Sequence, residues 1–147
     1  MNGEVIKKVL KYISFKPRTE REVIDYLKQK LMLDDKDISE VIKYLKENGF
    51  IDDDYYKSVY ISSKVERGFG PKYIRHKLKG KGIYINDSEV NVDFERIVEI
   101  IIRRYGKRLI ENKSKATNSV VSFLAYRGFS KSESIKILNQ VYEKLGI

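Results

Sequence analysis

The chain has no cysteine, which excludes disulfides, thiolate zinc sites and a cysteine nucleophile together. A single histidine, His76, leaves no set of imidazoles for a metal. Apolar runs such as Ile100-Ile101-Ile102 are far too short to cross a bilayer. The opening Met1-Asn2-Gly3-Glu4-Val5-Ile6-Lys7-Lys8 lacks the long apolar stretch of a signal peptide. These absences point to a cytoplasmic protein, with no membrane partner expected. Proline occurs only at Pro17 and Pro71, each just ahead of a helix-like stretch. Alternating strand patterns are scarce, so the expected fold class is all-α.

Against these absences stands a large basic excess. Among 147 residues, 30 Lys and Arg face 21 Asp and Glu, a formal charge of +9. An excess of that size favours an anionic partner, with nucleic acid or a nucleoprotein first among the candidates.

Helical periodicity runs through the chain. Val5, Ile6, Val9, Leu10 and Ile13 share a face. Thr19-Glu20-Arg21-Glu22 is a capping box leading into Val23, Ile24, Leu27 and Leu31. Asp37 is expected to cap a third helix, which Asn48-Gly49 ends. The pattern restarts at Asp52-Asp53-Asp54, where a buried face of Tyr56, Val59, Tyr60 and Ser63 is expected. Gly68-Phe69-Gly70 breaks that helix, Pro71 opens the next, and Gly80 and Gly82 close it. Residues 83–93 fit a short helix or a loop. A helix from Phe94 carries Val98, Ile101 and Tyr105, Lys113 to Asn118 is expected to be a turn, and Val120, Val121 and Leu124 mark another helix. Ser130-Lys131-Ser132-Glu133 is a second capping box.

A weak repeat underlies the pattern: Leu27-x-x-Lys30-Leu31-Met32, Leu78-x-x-Lys81-Gly82-Ile83 and Leu124-x-x-Arg127-Gly128-Phe129. Periods of this length mark stacked helical units. Three units of three helices are expected, at 1–50, 51–92 and 93–147.

Gly49-Phe50-Ile51-Asp52-Asp53, Tyr56, Tyr60, Lys64, Gly68-Phe69-Gly70-Pro71, Ile74-Arg75, Leu78 and Lys81-Gly82-Ile83 follow one another in the order of a known signature. The set resembles the central unit of the RecX family, and Phe123-Leu124-x-x-Arg127-Gly128-Phe129 resembles its third unit. Two positions depart from the pattern. Lys64 stands where the family usually has arginine, keeping the charge but losing the planar fork, and Lys57 stands where a small residue is usual. The resemblance implies tandem three-helix repeats in a curved, elongated arrangement. It also implies a regulator that binds the RecA filament on single-stranded DNA and restrains ATP hydrolysis and strand exchange.

Two basic concentrations are the candidate contact surfaces. Lys72, Arg75, His76 and Lys79 form one stripe opposite Ile74 and Leu78, with Lys64 and Arg67 close by in sequence. Between Lys57 and Lys81, eight Lys and Arg face Glu66 alone. The second concentration is Arg103, Arg104, Lys107, Arg108, Lys113 and Lys115. Such residues can track phosphates or meet acidic grooves on a protein, which leaves direct, sequence-tolerant DNA binding as the rival reading. Tyr56, Tyr60 and Tyr105 belong to apolar faces, Phe69 is the aromatic expected near the surface, and Phe129 is expected to dock back beyond its glycine.

No enzyme is expected. Asp52-Asp53-Asp54 fits a helix start better than a magnesium site. Gly68-x-Gly-Pro lacks the Gly-Lys-Ser/Thr of a nucleotide loop. No cofactor is implied, and a monomer is expected.

Overall fold

The computed structural model of the chain describes residues 2–147. Among them are eight α-helices and one 3-10 turn, with no strand. The helices are α1 (Gly3–Phe15), α2 (Glu20–Gln29), α3 (Asp35–Glu47), α4 (Asp53–Glu66), α5 (Pro71–Gly80), α6 (Phe94–Glu111), α7 (Lys113–Tyr126) and α8 (Lys131–Leu145). The 3-10 turn, Asp87–Glu89, lies in the 83–93 stretch that the sequence leaves open between helix and loop.

Contacts divide the chain into two compact units. The first comprises Met1–Val59 with Leu78–Tyr84, the second Tyr60–Lys77 with Ile85–Ile147. Residues 51–92 are therefore shared between the two. In the first unit α1, α2 and α3 enclose Val9, Val23, Leu27, Ile38, Val41, Ile42, Leu45 and Ile51. In the second, α6, α7 and α8 enclose Ile97, Val98, Ile101, Leu109, Ala116, Val120, Leu124, Ile137 and Val141. Each fully buried aliphatic side chain contributes about 1.5–3 kcal/mol relative to exposure.

Local signals set the helix boundaries. Both capping boxes form: Thr19 with Glu22 and Ser130 with Glu133 exchange side-chain and backbone bonds. Pro71 begins α5, and Asp52 caps α4 by accepting from the Tyr55 N–H at 3.1 Å. Three expectations are corrected. Asp34, not Asp37, caps α3, since its carboxylate accepts from the Asp37 N–H at 2.9 Å. The first turn of α3 carries no apolar residue, so periodicity alone starts the helix too late.

No residue of α4 is fully buried. Tyr56, Tyr60, Ile61 and Val65 are half-buried, whereas Val59 and Ser63 are exposed. The inward rows follow i, i+4 spacing, and Val59 and Ser63 lie one step off them.

Residues 113–118 are helix, not turn. Asn112 alone separates α6 from α7, ending one and capping the other through the Lys115 N–H at 3.2 Å. Ala116, 5% exposed, stands one helical repeat before Val120 and Leu124 and completes the stripe of α7.

The repeated Leu-x-x-cation-Gly-apolar segments share a structural job. Within the first unit, the Thr19 hydroxyl at the start of α2 donates to the Lys81 carbonyl at 2.7 Å. A Cβ on Gly82 would lie 2.6 Å from Arg21 Cβ. Within the second, Gly70 N–H donates to the Arg127 carbonyl at 2.7 Å and Lys72 N–H to the Gly128 carbonyl at 3.1 Å. A Cβ on Gly128 would overlap the Tyr73 backbone nitrogen. In both units a glycine turn receives the first turn of a helix, and only a residue without a side chain lets backbone approach that closely. Phe129, 5% exposed, docks beyond its turn as expected.

Candidate functional site

The interlocked Gly68-Phe69-Gly70 and Arg127-Gly128 turns of the second unit also gather its cations. Arg127 closes α7, and its Nη1 donates to the Arg67 carbonyl at 2.7 Å. The same guanidinium lies 4.2 Å from the Phe69 ring centre and 4.7 Å from that of Phe123. Arg67 sits 5.8 Å from the Phe69 ring, and Arg104, on α6, 4.8 Å from Phe123. Phe69 packs on Tyr73 at 4.2 Å, and Lys64 Nζ lies 5.2 Å from Phe69 and 6.0 Å from Tyr73. Tyr105 meets Phe123 edge-on at 5.6 Å, with Arg108 at 4.7 Å from the Tyr105 ring. The result is a ladder in which cations alternate with half-buried aromatic rings. Each cation–ring contact is worth about 0.5–1 kcal/mol where exposed and about 2 kcal/mol where desolvated.

The three arginines at its centre carry one sign of charge. Among the described residues no carboxylate lies within ion-pair distance of Arg67, Arg104 or Arg127. Burial first, and then the charges of Arg104 and Arg67, hold the Arg127 guanidinium below its ordinary pKa, while Tyr73 and Tyr126 act against the shift. Three guanidinium groups held together by backbone and stacking contacts, with no counter-charge, form a surface that gains from an external anion.

The basic residues expected from sequence divide accordingly. Lys64, Arg67 and Arg104 join the ladder, and Arg108 joins it through Tyr105. Lys72 is exposed on the first turn of α5. Arg75 is engaged elsewhere, paired with Asp87 at 3.2 Å. Arg103 and Lys107 are exposed on α6, one helical turn apart, and Lys79 is exposed on the last turn of α5, in the first unit. Sequence reasoning finds Arg127 only as the cation of a repeat and misses that it is the centre of the ladder. The available signal is its place before a helix-ending glycine, four residues after Phe123. Phe69, expected near the surface, is half-buried beneath these cations.

The Asp52-Asp53-Asp54 run is occupied in a different way. Asp52 caps α4, and Asp53 accepts from the Glu20 N–H at 2.9 Å, tying the start of α4 to the start of α2. Burial chiefly raises the Asp53 pKa above its ordinary value of 3.8, with the Glu20 carboxylate adding to the rise. Among the described residues no group of three His, Cys, Asp or Glu side chains is placed to hold a metal, and no helix is long and apolar enough to cross a membrane.

Comparison with known proteins agrees with this architecture. The profile of the first three-helix domain of RecX matches residues 6–45. The regulatory protein RecX of Lactococcus lactis subsp. cremoris is 33% identical over 85% of this chain and 50% of its own length. The regulatory protein RecX of Acinetobacter baylyi is 28% identical over 63% of this chain and 64% of its own. The chain thus spans between half and two thirds of the length of these relatives. The crystal structure of RecX from Lactobacillus salivarius superposes with a TM-score of 0.76 at 25% identity, covering 92% of this chain and 93% of that one. The matched three-helix domain, the relatives and the shared fold together establish that the chain belongs to the RecX family.

Proposed function

We propose that this chain binds the RecA filament on single-stranded DNA and restrains RecA's ATP hydrolysis and strand exchange, without chemistry of its own. The observation that carries the reading is the acid-free convergence of Arg67, Arg104 and Arg127 on one aromatic ladder. A nucleoprotein filament offers both phosphates and acidic protein surface to such a site. Lys64, Lys72, Arg103, Lys107 and Arg108 extend the contact, and Arg75 and Lys79 supply further charge along α5. The paired use of glycine turns supports an array of three-helix repeats, in which residues 51–92 form the central one. The chain acts as a monomer in the cytoplasm.

The test is RecA's DNA-dependent ATP hydrolysis and filament persistence, measured with substoichiometric amounts of this protein. Inhibition or filament loss is expected, and Arg104→Glu should weaken it while leaving the fold intact, because Arg104 is exposed. Absence of any filament effect, with tight salt-sensitive binding to bare DNA, would instead identify a sequence-tolerant DNA-binding protein.

A further inference from the structure

The first unit carries a second cationic surface, separate from the ladder in both sequence and composition. Between Val5 and Thr19 there is no Asp or Glu, yet Lys7, Lys8, Lys11, Lys16 and Arg18 all lie there. No carboxylate among the described residues is within ion-pair distance of any of these five. On α1, Lys8, Lys11 and Phe15 follow at i, i+3 and i+7 and so share one face, with Lys7 beside Lys11. That face is exposed, and Val9, fully buried, lies on the other.

Phe15 is the unusual member. Its side chain is 74% exposed at the end of a basic helix, where burial would be expected of a phenylalanine. The turn that follows is packed on aromatic rings. The Arg18 guanidinium sits 4.0 Å from the Tyr12 ring centre, and Tyr12 stacks on Tyr26 at 4.1 Å and 5° between planes. Arg18 Nε finds no acceptor in the protein, so stacking holds this group.

We infer that the solvent face of α1 is a single-strand contact, in which Lys7, Lys8 and Lys11 follow phosphates and Phe15 stacks on an unpaired base. An open phenyl ring among unpaired cations matches the recurring elements of sequence-tolerant single-strand binding, a stacking platform beside a positive track. A lipid surface fits less well. A helix lying in a membrane interface needs an apolar face turned outward, whereas Val5, Ile6, Val9, Leu10 and Ile13 of α1 pack into the core of the unit. This site does not rest on the RecA reading, because it requires no RecA.

The experiment is fluorescence anisotropy of a labelled oligothymidine with the full chain, without RecA, across a salt series. Phe15→Ala is expected to weaken binding about five- to tenfold with the salt slope unchanged, the loss of one stacked base. Lys8→Gln with Lys11→Gln should lower the slope by about 1.4, the loss of two single-strand phosphate contacts. A blunt duplex of equal length, whose bases are already stacked, should not distinguish Phe15→Ala from the parent chain. All three side chains are exposed, so unchanged thermal melts are expected to confirm folding. Wild-type oligothymidine affinity in Phe15→Ala, or no binding by the parent chain, overturns the proposal. So does a loss confined to anionic vesicles, which would make the face a membrane contact, or a loss confined to DNA-free RecA, which would make it a protein contact.

Discussion

Gly128→Ala should be among the most damaging small substitutions in the second unit. The backbone there has φ +91°, and an added Cβ would overlap the Tyr73 nitrogen and stand 2.5 Å from its Cβ and 2.9 Å from its Cα. Two of these three are backbone atoms of a helix start and cannot rotate away. A positive φ costs an L-residue about 1–2 kcal/mol. Forcing the turn and the helix apart adds overpacking strain of about 1–3 kcal/mol. It also stretches the Gly70 to Arg127 and Lys72 to Gly128 hydrogen bonds. A loss of about 3–4 kcal/mol follows, or a fall in melting temperature of roughly 10 °C for a chain of this size. Gly49 supplies the control. Its φ is +72°, but a Cβ added there would meet nothing within 4 Å, so Gly49→Ala should cost about 1 kcal/mol, the conformational part alone. Urea denaturation followed by circular dichroism measures both. Equal losses in the two variants would refute the reasoning, because the close approach of the two turns would then contribute nothing.

Thr19 is fully buried and uses its hydroxyl twice, accepting from the Glu22 N–H and donating to the Lys81 carbonyl. Thr19→Val should therefore lose about 2–3 kcal/mol in urea titration, and Thr19→Ser should recover most of it, since both bonds survive. Asp53 has a raised folded pKa, so the folded state takes up its proton at a higher pH than the unfolded chain. Its contribution to stability is fully present below the ordinary value of 3.8 and is lost as pH rises through the raised value. Asp53→Asn removes the half-buried charge while keeping an oxygen for the Glu20 N–H, so it should be neutral or stabilising at pH 7 and give up that advantage in acid. Marked destabilisation at pH 7 would contradict this. The Arg75 to Asp87 pair is half-exposed on both sides, and a double-mutant cycle should find less than about 1 kcal/mol of coupling. For the ladder, Arg127→Gln should weaken binding to the DNA filament and flatten its salt dependence, and a binding curve superimposable on wild type at all salt concentrations would remove Arg127 from the contact.

Much of the fold is legible because the signals involved are local. Apolar spacing, the Thr19 and Ser130 capping boxes and the placing of Pro71 describe interactions within one helical turn, and each appears where its residues put it. Misplacements come where the local signal is silent or divided. The first turn of α7 carries only Ala116 to the core, and a methyl group among Lys113, Ser114, Lys115 and Thr117 leaves no apolar period to read. Similarly, α4 has apolar residues around much of its circumference, so spacing does not select the Tyr56–Tyr60 row over Val59. The candidate site is half legible, since a run of basic residues announces an anionic partner but not which cations converge. Arg67, Arg104 and Arg127 are distant in sequence; the close approach of two glycine turns brings Arg127 to Arg67, the packing of α6 against α7 brings Arg104 over Phe123, and tertiary packing commits Arg75 to Asp87. Sequence by itself determined the helices and the charge, because helix caps and composition act at short range. Tertiary structure alone decided which charges share a surface, because that depends on the Gly70 to Arg127 and Lys72 to Gly128 backbone bonds and on the Arg127 side chain reaching the Arg67 carbonyl, all between residues far apart in the chain.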